Sequence, residues 1–304
     1  MSVPGTTLTS STSEKVRFFA ASTLGETMLW VEEGMYEFEL SVLAFDGEKS
    51  GRDGETLCAN VDRDATGSNV VVLGEDFVVH HVDSENAVCG SAMVIDGGYF
   101  EVYSLWVADN GYTEAQKPDW NFPYGDGLTV NKCEGGYVHN VDSFDNTDIG
   151  IVFGYGYDCW GLWNWVEQTY QYAFAGIHIA AGGSPNTQFT HEGALYQYND
   201  VETAEDGLSA AMIIGHHPWN DDYDMTDSGD VIDNELEGAV VNLTIDGVRN
   251  GYVADNDLYN DRGSAGLWEC AFQGPYTAAD FENGLTKPSG GAVVTYHNLD
   301  CQIF

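Results

Sequence analysis

A short apolar unit recurs along the chain: a small residue is followed by three positions, of which the first and the third are apolar. Successive copies begin 35, 23, 26, 35, 31 and 24 residues apart, and the last copy is degenerate. A minimum near 23 residues with longer excursions predicts a coil of fixed circumference that carries loop insertions. The copies are "AMVI" at Ala92, "GLTV" at Gly127, "GIVF" at Gly150, "GIHI" at Gly176, "AMII" at Ala211, "NLTI" at Asn242 and "GLWE" at Gly266.

A second element follows the unit, since "GYVHNVDSFDN" from Gly136 and "GYVADNDLYND" from Gly251 align without gaps. The apolar runs are short and are punctuated by Gly, Asn and Asp, with almost no helical periodicity. One unit is too short to bury a face alone. Stacked coils bury a continuous interior and pair each strand with its equivalent about 4.8 Å away, which predicts a parallel β-solenoid.

The run "GDVIDNELEGAVVNLTIDGVRNGYVADNDLYNDRGSAGL" resembles the right-handed parallel β-helix repeat proteins, the pectate-lyase-like superfamily that also includes viral tailspikes. The resemblance covers about Asn69 to Cys270. It implies an all-β fold, a right-handed parallel β-helix of about seven or more coils with β caps at both ends. It is specific for fold and unspecific for function.

This resemblance divides the chain into four parts. Residues 1–14 form a polar tail or attachment segment, and 15–68 form an N-terminal β cap or first coil. The parallel β-helix then spans 69–271, and 272–304 form a C-terminal cap. Both ends need caps because an open solenoid end is an unpaired strand edge.

Asparagines recur near the predicted turns and allow two interpretations. They could stack as side-chain amide ladders, or each could occupy a left-handed backbone position, and the second is the preferred interpretation for each one singly. The residues are Asn110, Asn146, Asn199, Asn234 and Asn260.

The six cysteines are scattered without a C-x-x-C pair, so we expect them to be small buried apolar residues. A disulfide framework and a zinc site are the alternatives. The cysteines are Cys58, Cys89, Cys133, Cys159, Cys270 and Cys301.

One turn lies between each apolar unit and its next strand, and the longest reads "GHHPWNDDYDMTDSGD". Two coils earlier the turn is "GYGYDCWG", so the two should wall a trough whose aromatic faces suit pyranose rings. The alternative is that aromatics such as Trp163 and Trp165 pack a face of the solenoid. The ligand-binding candidates are Tyr155, Tyr157, Trp160, His216, His217, Trp219 and Tyr223.

Carboxylates in these turns are candidates for metal binding and catalysis. Asp221, Asp222 and Asp224 could gather calcium, which prefers oxygen ligands, although the alternative in so acidic a chain is plain hydration. His216 and His217 are adjacent and should point apart, which disfavours one metal held by both. The catalytic candidates for glycosidic cleavage are Asp158, Asp222 and Asp224.

Composition narrows the partners. The chain has 49 Asp+Glu against 10 Lys+Arg, a formal net charge of −39, which excludes nucleic acid and anionic membrane surfaces as partners. With 43% hydrophobic residues it still has the material for a core. Such an acidic balance resembles that of proteins from halophilic archaea and their viruses.

These features favour a virion structural or receptor-binding protein of a halophilic archaeal virus, a spike, fibre or capsid decoration. It would engage a host cell-surface glycan or glycoprotein and contact other virion proteins. We expect no signal peptide and no membrane span. The resemblance to viral β-helices implies a trimer. The alternatives are a polysaccharide lyase or glycoside hydrolase on the same scaffold, and a purely architectural virion protein.

The charge generates the first prediction. At molar salt the Debye length falls from about 8 Å to about 3 Å, so repulsion between surface carboxylates is largely screened. We expect the melting temperature of the protein to rise strongly from dilute buffer to molar KCl, as followed by circular dichroism. An equal melting temperature in both solutions would contradict the halophilic interpretation.

Overall fold

The computed structural model describes residues 6–9, 14–21, 26–50, 52–59, 67–112, 124–180, 190–204, 207–215, 226–239, 241–246, 248–259 and 293–294. Of residues 260–304 the structure describes only 293 and 294, so most of the predicted C-terminal cap lies outside the described residues.

Within these residues the elements are almost entirely strands, apart from one short helix, α1, that spans Gly54–Cys58. The strands, in chain order, are β1 (Thr6–Thr9), β2 (Val16–Phe19), β3 (Leu29–Asp46), β4 (Val70–Glu85), β5 (Met93–Gly98), β6 (Glu101–Ala108), β7 (Leu128–Glu134), β8 (Tyr137–Phe144), β9 (Ile149–Phe153), β10 (Trp160–Leu162), β11 (Trp165–Gln168), β12 (Ala173–Ala180), β13 (Leu195–Gln197), β14 (Asp200–Thr203), β15 (Leu208–Gly215), β16 (Thr226–Ile232), β17 (Glu235–Glu237), β18 (Val241–Asp246), β19 (Val248–Ala254), β20 (Asp257–Tyr259) and β21 (Val293–Val294).

The strands stack as the coils of a right-handed parallel β-helix with three faces. Face A consists of the first parts of β3 and β4 with β5, β7, β9, β12, β15, β18 and β21. Face B consists of β1, the middle of β3 and β4, the first parts of β6 and β8, and β10, β13, β16 and β19. Face C consists of β2, the ends of β3, β4, β6 and β8, and β11, β14, β17 and β20. The predicted fold class is thus confirmed.

The recurring apolar unit marks face A, and its copies pair in register as the sequence predicts. The first apolar position of each copy stacks on that of the next, in the order Met93, Leu128, Ile151, Ile177, Met212 and Leu243. Two earlier coils extend the column through Leu29 and Val70. Leu243 pairs with Val293, and the seventh copy, at Gly266, lies outside the described residues.

The interior is filled by columns of like side chains. Phe38, Phe77 and Phe100 stack with ring centroids 5.0 and 5.1 Å apart. Farther along, Gly161 occupies an inward position of face B, where an added Cβ would lie 2.6 Å from the Phe153 ring. The glycine therefore leaves room for the rings of Phe153 and Tyr196, whose centroids are 4.8 Å apart.

The turn between faces B and C shows that the preferred interpretation of the asparagines was wrong. The left-handed residue of each coil is the one before the asparagine, for example Trp163 and Tyr198. Asn164, Asn199, Asn234 and Asn256 instead form a buried ladder in which each Nδ2 donates to the next Oδ1, at 2.9, 2.8 and 2.7 Å. A second ladder joins Asn110 to Asn146 at 2.6 Å. The fifth predicted residue, Asn260, lies outside the described residues.

Four of the six cysteines form disulfides, so the expectation of small buried thiols was wrong for these four. Cys58 bonds to Cys89 and Cys133 to Cys159, with Cα–Cα distances of 5.3 and 5.5 Å. Spacing alone could not reveal the pairs, since the coil brings together residues that are 31 and 26 positions apart. Cys270 and Cys301 lie outside the described residues.

The asparagine ladder should be essential for stability. Earlier coils carry Leu43, Val82, Leu105 and Val141 at the ladder position, so Asn199→Leu introduces a side chain that this position holds elsewhere. The change removes the acceptor of the Asn164 N–H, the donor to the Gly161 carbonyl and one hydrogen bond of each neighbouring amide. We expect the free energy of unfolding to fall by about 2–4 kcal/mol in chemical denaturation.

The control is Asn140→Gly at an exposed left-handed position, where glycine is tolerated and the change should stay within about 0.5 kcal/mol. Equal stability of Asn199→Leu and the wild type would show that the ladder contributes nothing.

Candidate functional site

The predicted trough is only partly placed. His216, His217, Trp219 and Tyr223, together with the metal and catalytic candidates Asp221, Asp222 and Asp224, lie outside the described residues. The structure describes the remaining candidates, which belong to one turn between faces A and B but whose side chains have different neighbours. They are Tyr155, Tyr157, Asp158 and Trp160.

Tyr155 and Tyr157 both lie near Glu134 but differ in their other neighbours. Partial burial, and then the Asp96 carboxylate, raise the pKa of Tyr155, which also lies near Lys132. A hydrogen bond with Tyr99, and then the charge of Glu134, raise the pKa of the exposed Tyr157 to about 12. The two phenols therefore remain neutral at neutral pH.

Asp158 stands at the outer rim of the turn. It adopts a left-handed backbone, with φ 53°, and its N–H donates to the carbonyl of Glu192 on the next coil at 2.9 Å. A Cβ at Gly193 would lie 2.2 Å from the Asp158 carboxylate, so glycine makes room for it. The Cys133–Cys159 disulfide anchors the turn to the previous coil.

Trp160 lies on the outward side of face B, where it ends a row of rings that we call the aromatic column: His80, Tyr103, His139, Tyr137 and Trp160. Tyr103 is sandwiched between His80 and His139, with centroid distances of 4.9 and 5.1 Å and nearly parallel planes. Tyr137 stacks beside His139 at 4.2 Å, whereas Trp160 meets Tyr137 edge-on, with planes 82° apart.

Two glutamates hold the imidazoles of the aromatic column. Nε2 of His80 lies 3.0 Å from Glu39, and Nε2 of His139 lies 3.1 Å from Glu101. The Ser41 hydroxyl also donates to Glu39, at 2.8 Å. The hydrogen bond from Ser41, and then the one from His80, lower the pKa of Glu39. The carboxylate therefore stays ionised and accepts both hydrogen bonds.

Sequence reasoning missed the aromatic column because it searched the turns. The signal was present in the outward positions of five strands, "ELS", "VVH", "EVY", "YVH" and "WGL", once these are aligned. The alignment requires the strand register, in which Ser41, His80, Tyr103, His139 and Leu162 stack in one row. Trp163 and Trp165 are exposed but pack on the outer surface of the solenoid, as the alternative predicted: Trp163 stacks on Tyr198 with ring centroids 6.0 Å apart, and Trp165 meets the Phe144 ring at 5.4 Å.

Face C carries a different outward surface. Trp106, Phe144 and Trp165 contact one another on its earlier coils, with centroids 4.5 and 5.4 Å apart. The next coils are acidic, with Asp200 in register with Glu235 and Glu202 in register with Glu237. Burial, and then the charges of Glu235, Glu202 and Glu237, raise the pKa of Asp200.

In the part of the chain that the structure describes, no three His, Cys, Asp or Glu side chains converge as a metal site. No helix within it has the length and apolar character that a membrane crossing requires.

Fold and surface together thus define a class of protein: a right-handed parallel β-helix with an exposed row of rings on one face. No family model and no curated protein matches the chain. Solved structures do, as expected for a fold that is kept while sequences diverge.

An endo-xylogalacturonan hydrolase from Aspergillus tubingensis matches with a TM-score of 0.56 and 13% identity, over 92% of this chain and 85% of that one. The pectate lyase Pel9A matches with a TM-score of 0.50 and 10% identity, over 95% of this chain and 69% of that one. At these identities the likeness shows the fold alone.

The acidic surface of face C predicts a pH dependence. Burial, and then Glu202, raise the pKa of Glu167 as well, so both Glu167 and Asp200 bind a proton more tightly in the folded chain. Their contribution to stability is complete below the ordinary carboxyl pKa of about 4 and is lost as pH rises through the raised values. The melting temperature should therefore increase from pH 7.5 towards pH 5 at moderate salt.

Glu202→Gln should remove part of this repulsion and raise the melting temperature at pH 7.5 by about 1–2 °C, with a flatter pH profile. Glu75→Gln removes one charge from an exposed position of β4 and controls for net charge. Identical pH profiles for the two variants would contradict the assignment to face C.

Proposed function

We propose that the chain is a glycan-binding β-helix protein whose aromatic column contacts a polysaccharide running along face B. The observation that carries the proposal is the column itself, since five rings stand on the outer side of four successive coils. Four coils span about 14 Å along the axis, which suits an extended ligand rather than a single small molecule.

The rings would divide the recognition between them. Because His80, Tyr103 and His139 stack face to face, their faces are occupied. Both nitrogens of each imidazole already contact neighbouring side chains, so the phenol of Tyr103 is the group of this stack that can offer an O–H to a sugar hydroxyl. Trp160 is turned across the stack and is 47% exposed, so it is the ring that can offer a face to a pyranose.

The charge around the column favours a neutral glycan. Glu39 and Glu101 flank the rings, and the whole chain carries a formal charge of −39, so a polyuronate would meet repulsion. The two structural neighbours are named for xylogalacturonan and pectate, and a neutral preference would separate this chain from both.

The setting that we propose is the surface of a halophilic archaeal virus particle, with the glycan on the host cell. The acidic composition supports a saline environment, and the two disulfides support an oxidising one. Trimer formation and contacts to other virion proteins belong to the same proposal.

Calorimetric titration in molar KCl tests the binding function. Cellohexaose and mannohexaose serve as neutral probes, and hexagalacturonate serves as the acidic one. We expect a neutral probe to bind, and Trp160→Ala to weaken it about tenfold or more.

Trp165→Ala is the matched control, because Trp165 is an exposed tryptophan of the same coil that faces outward from face C. An equal loss in both variants, or no binding of any probe, would refute a site on face B and favour an architectural protein. Release of reducing ends that Asp158→Asn abolishes would instead favour a hydrolase or lyase.

A further inference from the structure

Two consecutive histidines on face B bring their ring nitrogens together. Consecutive side chains of an extended strand point to opposite sides, but His81 adopts a left-handed backbone with φ 54° at the turn to face C. Its Nδ1 consequently lies 2.7 Å from Nδ1 of His80, and the two ring planes are 81° apart. The pair is exposed to solvent on the His81 side.

The surroundings of His80 determine which nitrogen carries its proton. A carboxylate oxygen of Glu39 accepts here, so the 3.0 Å contact places the proton of a neutral imidazole on Nε2. The lone pair on Nδ1 is then directed at His81, whose Nδ1–H donates to it in the metal-free chain. A metal ion held by both Nδ1 atoms would replace this hydrogen bond, with His81 carrying its proton on Nε2 instead. A ring nitrogen that donates to a carboxylate is the arrangement that orients metal-binding histidines. Stacking on Tyr103, with planes 3° apart, holds the ring in place.

The nitrogen separation is compatible with two adjacent coordination positions of one ion. With metal–nitrogen distances of about 2.0–2.1 Å, two nitrogens at a right angle lie about 2.9 Å apart, and two at a tetrahedral angle lie about 3.3 Å apart. The observed 2.7 Å is close to the first value and far from the second. Right-angled nitrogen and oxygen coordination is typical of Cu²⁺ and Ni²⁺.

We infer that His80 and His81 form a binding site for a late first-row divalent metal ion, with Cu²⁺ bound most tightly. The protein supplies two imidazole ligands, and water supplies the rest, because no third such side chain converges there among the described residues. The open positions face solvent. Metal binding by this pair does not depend on the proposed glycan-binding function, although the pair shares His80 with the aromatic column.

The chain contains its own control for this site. Two coils farther along, His139 contacts Glu101 through Nε2 at 3.1 Å, and its Nδ1 lies 2.8 Å from Oδ1 of Asn140. Asn140 has a left-handed backbone with φ 53°, as His81 does. The two arrangements differ at the left-handed residue, which is a histidine in one and an asparagine in the other.

Titration of the chelator-treated full chain with Cu²⁺ tests the inference. Molar KCl and excess Mg²⁺ suppress binding to surface carboxylates, and electron paramagnetic resonance reports nitrogen ligands. We expect the wild type to bind one equivalent with two coupled imidazole nitrogens at this site, and His81→Asn to lose it. Asn140→His should gain a further equivalent, and Glu39→Gln should weaken binding about tenfold or more.

Equal stoichiometry and equal nitrogen coupling in the wild type and His81→Asn would overturn the inference, since any bound copper would then lie elsewhere. Circular dichroism confirms that each variant folds. Should His81→Asn not fold, Asn140→His decides alone, and the absence of an added equivalent overturns the inference. No glycan is present in the experiment, so its outcome and that of the glycan titration are separate.

Discussion

In-register hydrogen bonding between parallel coils is the constraint on which the rest of this structure depends. Each strand lies directly on its equivalent, so every side chain meets a neighbour about 4.8 Å away at the same position of the next coil. Side chains that gain from stacking on their own kind are therefore favoured. Apolar residues fill the interior, amides form ladders in the turn, and rings stack on face B.

The same constraint has a cost where the stacked groups are charged. On face C the carboxylates of Asp200, Glu202, Glu235 and Glu237 are held in register. Burial, and then the repulsion between these carboxylates, raise the pKa of Asp200, which opposes folding at neutral pH. On face B the glutamates are instead paired with imidazoles. The two faces thus share one backbone arrangement but accommodate their carboxylates differently.

The sequence predicted the fold through its periodicity but missed most of the site. The copies of the apolar unit from Ala92 to Asn242 pair as the sequence alignment predicts, because the core requires an apolar residue at one point of every coil. Tyr155, Tyr157 and Trp160 were chosen as one cluster, yet their side chains lie in separate surroundings. Contacts across a turn depend on side-chain direction, which spacing along the chain does not contain.

The amino-acid sequence by itself determined the class of fold, the acidic surface and the approximate circumference of the coil, since these follow from periodicity and composition. The tertiary structure alone decided the disulfide pairs, the asparagine ladders and the aromatic column. Each of these joins residues from different coils, at separations that vary with the loop insertions. Only the register converts such unequal separations into contact, and only the left-handed backbone of His81 turns its ring towards His80.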